Sequence, residues 1–179
     1  MKRMHLVWVT ALGVVLTACG FHLRGHVSLS DKLSPLAVQT ADLELREALV
    51  DLLETSGAQV VDEPGTAKAV LRVQDINYER RVRTIDSRGK VNGYLLVYSV
   101  NYKVETPGGD DLSALTPLSV RRDFNFDSNQ VLQKEDEERD LRFEMERDMA
   151  QRIVRRMSRI AMVVPSRQFA AHSRVPAAG

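Results

Sequence analysis

The clearest pattern along the chain is an alternation of period two. Tyr94, Leu96, Tyr98, Val100, Tyr102 and Val104 are apolar or aromatic, while Ser99, Asn101, Lys103 and Glu105 between them are polar. Such a pattern predicts a strand with one face in a core and the other wetter. Ala69, Leu71 and Val73 against Lys68, Arg72 and Gln74 predict a half-buried strand before it. Leu118, Val120, Phe124 and Phe126 predict another after the Pro107–Asp111 turn, broken on its apolar face by Arg122. Leu36 to Thr40 read as a short first strand. The period becomes 3.6 in two places. Asp42 can cap a helix with Leu45, Ala48, Leu49, Leu52 and Leu53 on one stripe, and Gly57 can end it. After Asn129, Leu141, Met145, Met149, Ile153, Met157 and Ile160 stripe a long helix, with Asp127 or Asn129 ending the strand and capping it. Glu135–Arg139, Glu138–Arg142 and Asp148–Arg152 stand at the i,i+4 spacing of helical ion pairs. The expected fold is α+β, with two helices packed on one face of a four-stranded, mostly antiparallel sheet. Leu96, Val100 and Met149 are expected in its core.

The N-terminus follows a different logic. Lys2 and Arg3 precede an apolar run from Leu6 to Leu16, then the small residues Thr17 and Ala18. That is a secretory signal layout, too short to span a membrane. The one cysteine, Cys19, follows at once, and Leu16-Thr17-Ala18-Cys19 resembles the bacterial lipobox, which implies cleavage before an acylated Cys19. The alternative is an unlipidated signal with a chance cysteine. A lone thiol would be a liability in an oxidising compartment, whereas acylation removes it and anchors the chain. In the family pattern an Asp after the cysteine disfavours outer-membrane delivery; Gly20 stands there, so the resemblance implies the outer membrane. The expected organisation is a signal peptide over 1–18, a lipid-anchored stalk over 19–34, one domain over 35–164 and a flexible tail over 165–179.

Charge adds little in total and more in its distribution. Removing Lys2 and Arg3 turns the formal +1 into −1, so the net charge implies no polyanionic partner such as nucleic acid. Arg outnumbers Lys 19 to 6, a bias toward bidentate contacts with phosphate or carboxylate. Arg80, Arg81, Arg83 and Arg88 crowd one short stretch. Catalytic and metal signatures are missing: there is no Gly-rich phosphate loop, HExxH or GxSxG, and the histidines are scattered. Asp127, Asn129 and Glu138 have an EF-hand-like spacing, but Val131 and Leu132 stand where that loop needs an oxygen ligand and a glycine. No enzyme activity and no cofactor are expected.

Three segments carry a family resemblance. Cys19-Gly20-Phe21-His22-Leu23-Arg24, the Phe124-x-Phe126-Asp127-x-Asn129 segment with Leu132 and Lys134, and Arg88-Gly89 before the Tyr94 strand resemble the LptE family of LPS-assembly lipoproteins. The resemblance covers the chain from Cys19 to Val164. It implies a compact α/β roll seated inside the outer-membrane β-barrel LptD, acting as plug and assembly partner in LPS export. It also implies LPS contact through cations at the tip of the domain. Arg88, Lys90 and Lys134 match that role, with Arg80, Arg81 and Arg83 leading into the same turn. The plain alternative for each is a solvated loop charge. Two other classes stay open: a lipoprotein that pilots or scaffolds another envelope machine, and a carrier of apolar ligands between helices and sheet.

Overall fold

The computed structural model describes residues 33–127 and 129–163, with backbone alone from Ile160 onward. The signal peptide, Cys19, most of the stalk and the 165–179 tail lie outside the described residues. Among the described residues the elements follow in the order β1 (Leu36–Gln39), α1 (Leu43–Thr55), β2 (Val60–Val61), a 3₁₀ turn (Pro64–Thr66), β3 (Ala69–Ile85), β4 (Val91–Glu105), β5 (Thr116–Asn125) and α2 (Val131–Val163). The sheet has five strands in the order β2-β1-β3-β4-β5. β1 runs parallel to both β2 and β3, and β3, β4 and β5 form an antiparallel meander. The expectation of four mostly antiparallel strands is therefore corrected to five in a mixed sheet. Two residues of β2 are too few to show alternation, and the parallel β1–α1–β2 crossover leaves no period of its own.

Both helices cover one face. Leu45, Leu49 and Leu53 of α1 meet Met145, Met149, Ile153 and Met157 of α2 over Leu71, Leu96, Tyr98, Val100, Tyr102 and Val104, all buried. Leu96, Val100 and Met149 lie in this core as expected. Leu33 belongs to it too, and Ser34 Oγ accepts from the Gln59 amide, so the folded part includes the last residues of the expected stalk. Asp42 caps α1 by accepting from the Leu45 amide at 3.1 Å, and Gly57 ends it at φ +84°, where a Cβ would be strained. The Tyr98 hydroxyl donates to the other Asp42 oxygen at 2.8 Å, tying the helix start to the sheet. Burial and that carboxylate push the Tyr98 hydroxyl far above its ordinary pKa, so it stays a donor. Asp127 ends the last strand in a turn, its Oδ1 accepting from the Asn129 amide at 2.9 Å, ahead of the long helix.

Arg122, the charge on an apolar face, is also explained. It reaches α2 and donates to Asp148 at 3.2 Å. Asp148 also accepts from Arg152 at 2.9 Å, as the i,i+4 spacing predicts. The other two expected pairs are replaced. Arg139 turns to Asp136 at 3.0 Å and Arg142 to Glu146 at 2.9 Å, while Glu138 faces the sheet. Glu138 is drawn to Tyr78 and Arg80 across the fold, and the two arginines take other carboxylates on their own helix, since an exposed i,i+4 pair is worth only about 0.5 kcal/mol.

β3 is far longer than its alternation suggests. Between Gln74 and Asn77 two residues of β3 oppose one of β4, a bulge with Asp75 at φ +53°. Asp is among the few side chains that tolerate this region, and Asp75 also accepts from Asn101 at 2.8 Å. Before the bulge the odd residues Leu71 and Val73 face the helices; after it Tyr78 packs there instead. The apolar pattern changes phase at that point, so the sequence shows one short strand where the chain continues to Ile85.

Candidate functional site

The long β3–β4 hairpin, the end of β5 and the start of α2 meet at one end of the molecule. Val82 is opposite Tyr94, Tyr94 is opposite Phe124, and α2 begins at Val131, soon after β5 ends at Asn125. All six cations singled out in the sequence, Arg80, Arg81, Arg83, Arg88, Lys90 and Lys134, lie at this end. They do not form one cluster.

Arg80 and Lys134 belong to the helix side. Tyr94, Phe124 and Phe126 pack together there, with ring centroids 5.6–6.4 Å apart. The Arg80 guanidinium sits 4.5 Å over the Tyr94 ring, and the Lys134 amine 5.8 Å from the Phe124 centroid. Each also has a carboxylate: Arg80 donates to Glu138 at 2.9 Å and Lys134 to Glu137 at 2.7 Å. Glu138 accepts from the Tyr78 hydroxyl as well, at 2.9 Å. Burial and this carboxylate hold that hydroxyl protonated well above its ordinary range.

Arg81 and Arg83 lie on the opposite, helix-free face. Arg81 donates to Glu79 at 2.6 Å, and Arg83 pairs with Asp123. Leu95 and Val97 are screened on this face, where Arg81 stands opposite Leu95, and Glu79 and Arg121 flank Val97. Arginine stems cover apolar surface in this way while their heads stay in water. Farther along the face, buried Glu105 accepts from Arg72 at 2.6 Å and pairs with Lys103 at 2.8 Å, which also reaches Asp111. Those cations, Arg72 first, hold its carboxyl below the usual carboxylate range.

Arg88 and Lys90 occupy the tip. Asp86 Oδ1 accepts from the amides of both, at 2.8 and 2.9 Å, and Oδ2 accepts from the Arg88 guanidinium at 3.0 Å. These amides, that of Lys90 first, depress the Asp86 pKa, so the turn is held by an ionised carboxylate. Gly89 stands at φ +78° in the turn. Among the described residues the Lys90 amine makes no salt bridge within 4 Å, and the Arg88 side chain is 77% exposed. Val82, Ile85, Val131 and Leu132 stand exposed at the same end. Sequence reasoning identified the cations and missed the apolar partners, because Val82 and Ile85 were not assigned to a strand.

No group of three or more His, Cys, Asp or Glu side chains among the described residues could hold a metal, and no described helix is long and apolar enough to cross a membrane. A family model described as "LptE: Lipopolysaccharide-assembly" matches residues 33–157. The LPS-assembly lipoprotein LptE of Pectobacterium atrosepticum is 33% identical over 165 residues, covering 88% of this chain and 86% of the relative. That of Yersinia enterocolitica is 31% identical, covering 88% and 77%. Among solved structures, lipoprotein B of Nitrosomonas europaea superposes with a TM-score of 0.67 at 27% identity, covering 80% of this chain and 94% of that one. Rare lipoprotein B of Shewanella oneidensis gives 0.61 at 27%, covering 71% and 96%. On the strength of a match through both helices and the whole sheet, the chain belongs to the LptE family of LPS-assembly lipoproteins.

Proposed function

We propose that this chain is an outer-membrane lipoprotein, anchored through acylated Cys19, that seats in an LptD-type β-barrel, assists its assembly and takes part in LPS insertion at the cell surface. Family membership across the folded region carries the proposal. The molecule suits the role. Its helix-free sheet face is polar and cross-linked by ion pairs, as a body packed in the wet lumen of a barrel requires. Its hairpin end carries Arg88 and Lys90 together with exposed Val82, Ile85 and Leu132 at the same end of the molecule, a match for an amphiphile that carries phosphates next to acyl chains.

Within this reading the tip does more than the helix side. Lys134 and Arg80 already hold carboxylates and rings, so a phosphate would have to displace them. Arg88 has only the Asp86 turn to leave, and Lys90 has no salt bridge to break. Arg81 and Arg83 face away from the helix side, and their place in this reading is contact with the barrel wall. Co-purification from detergent-solubilised outer membranes, with identification of the barrel, tests the partnership: an LPS-export barrel is expected, and a different barrel or none would overturn it. Arg88→Asp with Lys90→Asp should weaken LPS binding by the purified domain at least tenfold and leave folding and barrel association intact. Unchanged LPS affinity would remove the tip from the proposal and leave the plug role standing. Free, unacylated Cys19 at the mature N-terminus by mass spectrometry would remove the anchor.

A further inference from the structure

The hairpin end does not account for the outer surface of the helix pair. There α1 and α2 flank an open cleft of about 600 Å³, lined by Glu44, Glu47, Asp51, Phe143, Glu146 and Arg147. A smaller hollow of about 160 Å³ shares Glu44, Phe143 and Glu146 with it. Glu44, Glu47 and Asp51 repeat at i, i+3 and i+7, so one stripe of α1 turns three carboxylates toward the cleft. Among the described residues none of the three makes a salt bridge. Glu146 comes from α2 and is 2% exposed.

Glu146 is half satisfied. Its Oε1 accepts from Arg142 at 2.9 Å, while its Oε2, also buried, has no hydrogen-bond partner. Burial raises its pKa, Asp42 and Glu44 raise it further, and Arg142 opposes them. A buried carboxylate oxygen left without a donor is costly, and because Glu146 lines the cleft a small rotation of its side chain would bring that oxygen to a donor there. Phe143 lines the same cleft with its side chain 48% exposed, an uncommon place for a bare aromatic. The available cations are mostly committed elsewhere. Arg142 serves Glu146 Oε1 and lies near Asp42, and Arg139 holds Asp136. In the larger cleft Arg147 is left to face Glu44, Glu47 and Asp51, while Glu146 shares Arg142.

We infer that this interhelical cleft receives an arginine side chain of a partner polypeptide, with the guanidinium donating to Glu146 Oε2 and stacking on Phe143. Guanidinium suits the site better than ammonium. Its flat fork offers several donors in one plane to carboxylates on two helices, and its face packs on an aromatic ring. The cation also neutralises the crowding among Glu146, Asp42 and Glu44, so its arrival draws Glu146 toward the ionised form. The inference does not depend on the proposed LPS role, because it concerns a different face and a protein group.

The test uses the full chain at low salt, titrated with Nα-acetyl-arginine methylamide and followed by NMR at the Glu146 carboxyl and the Phe143 ring. Saturable shifts at both are expected, with Glu146→Gln weakening binding at least fivefold and the lysine analogue binding several-fold more weakly. Should Glu146→Gln perturb the fold, Glu44→Gln with Glu47→Gln, both exposed, should still weaken binding at least threefold. Non-saturating shifts, unchanged affinity in a folded variant, or equal affinity for the lysine analogue would overturn the inference. A photo-crosslinker at Gln151, on the cleft rim, should join an arginine-bearing segment of another protein when the chain is assembled in the envelope. Crosslinks to this chain's own residues 164–179 alone, or to no protein, would overturn the partner.

Discussion

The two ends of this sheet are built on different physics. At the α1 end, Leu45, Leu49, Leu53, Leu71 and Val104 are buried without remainder, and the polar groups that enter are locked, one oxygen of Glu146 excepted. Asp42 is held by an amide and a tyrosine, Glu105 by two cations. At the hairpin end, Val82 and Ile85 are about 60% exposed, and cohesion comes from cations over rings and from carboxylates shared between strand and helix. Apolar burial at about 25 cal/mol per Å² stabilises the first end strongly. The exposed ion pairs of the second contribute little each. One end is therefore a rigid body, and the other is a surface kept open at small energetic cost.

The sharpest way to break that contrast is to place the same charge in both regions. Leu96→Asp puts an unpaired carboxylate in the core and should cost more than about 4 kcal/mol, leaving no cooperative unfolding transition. Val82→Asp, on the same sheet but exposed, should change stability by less than about 0.5 kcal/mol in urea titrations. Equal losses would mean that the hairpin is as structural as the body.

A middle-sized effect separates two buried carboxylates of the body by pH. The folded pKa of Glu105 is depressed, so its contribution is present at neutral pH and lost as pH falls through its titration. Glu146 is raised, so its contribution is full at low pH and declines as pH rises through its titration. Glu105→Gln should cost about 1–3 kcal/mol at pH 7 and flatten the acid limb of a stability–pH curve. Glu146→Gln should leave the acid limb intact and flatten the decline on the other side. Identical curves for both variants would show that these groups do not titrate in opposite directions.

The smallest expected effect is at the junction of the two regions. Glu138→Gln keeps an acceptor for Tyr78 but removes the charge facing Arg80, and should cost about 0.5–1 kcal/mol. Most of that loss should vanish in 1 M salt, because the pair is partly exposed. A salt-independent loss would assign Glu138 to the core rather than to the surface network.

Much of the body was legible in the sequence, because burial writes itself as period. The β4 alternation, both helical stripes, the Asp42 cap and the Gly57 stop all follow from single residues at set spacings. What could not be read was whatever depends on pairing across the chain. β2 is two residues long, and its place in the sheet is decided by a parallel neighbour. Glu138 and Arg142 have the spacing of partners, yet each finds a better one in Tyr78 with Arg80 and in Glu146. The cations of the hairpin end were visible as a cluster, but their division between two faces needed the bulge. Glu146 gave no signal at all, since a glutamate within a charged helix reads as solvated until the neighbouring helix buries it.

The bulge at Asp75 works as a half-period phase slip in a repeating signal. Upstream, the strand speaks to the helices through its odd positions; downstream, it does so through its even ones. Deleting Asp75 or Ile76 would leave a regular strand with the pairing beyond it unchanged, whereas keeping both and pairing the strand without the bulge would exchange the roles of everything beyond. Glu79 and Arg81 would turn under α2, Tyr78 and Arg80 would turn away from it, and Glu138 would lose both of its partners. A one-residue choice of register thus decides which neighbours the whole hairpin has, whatever its composition.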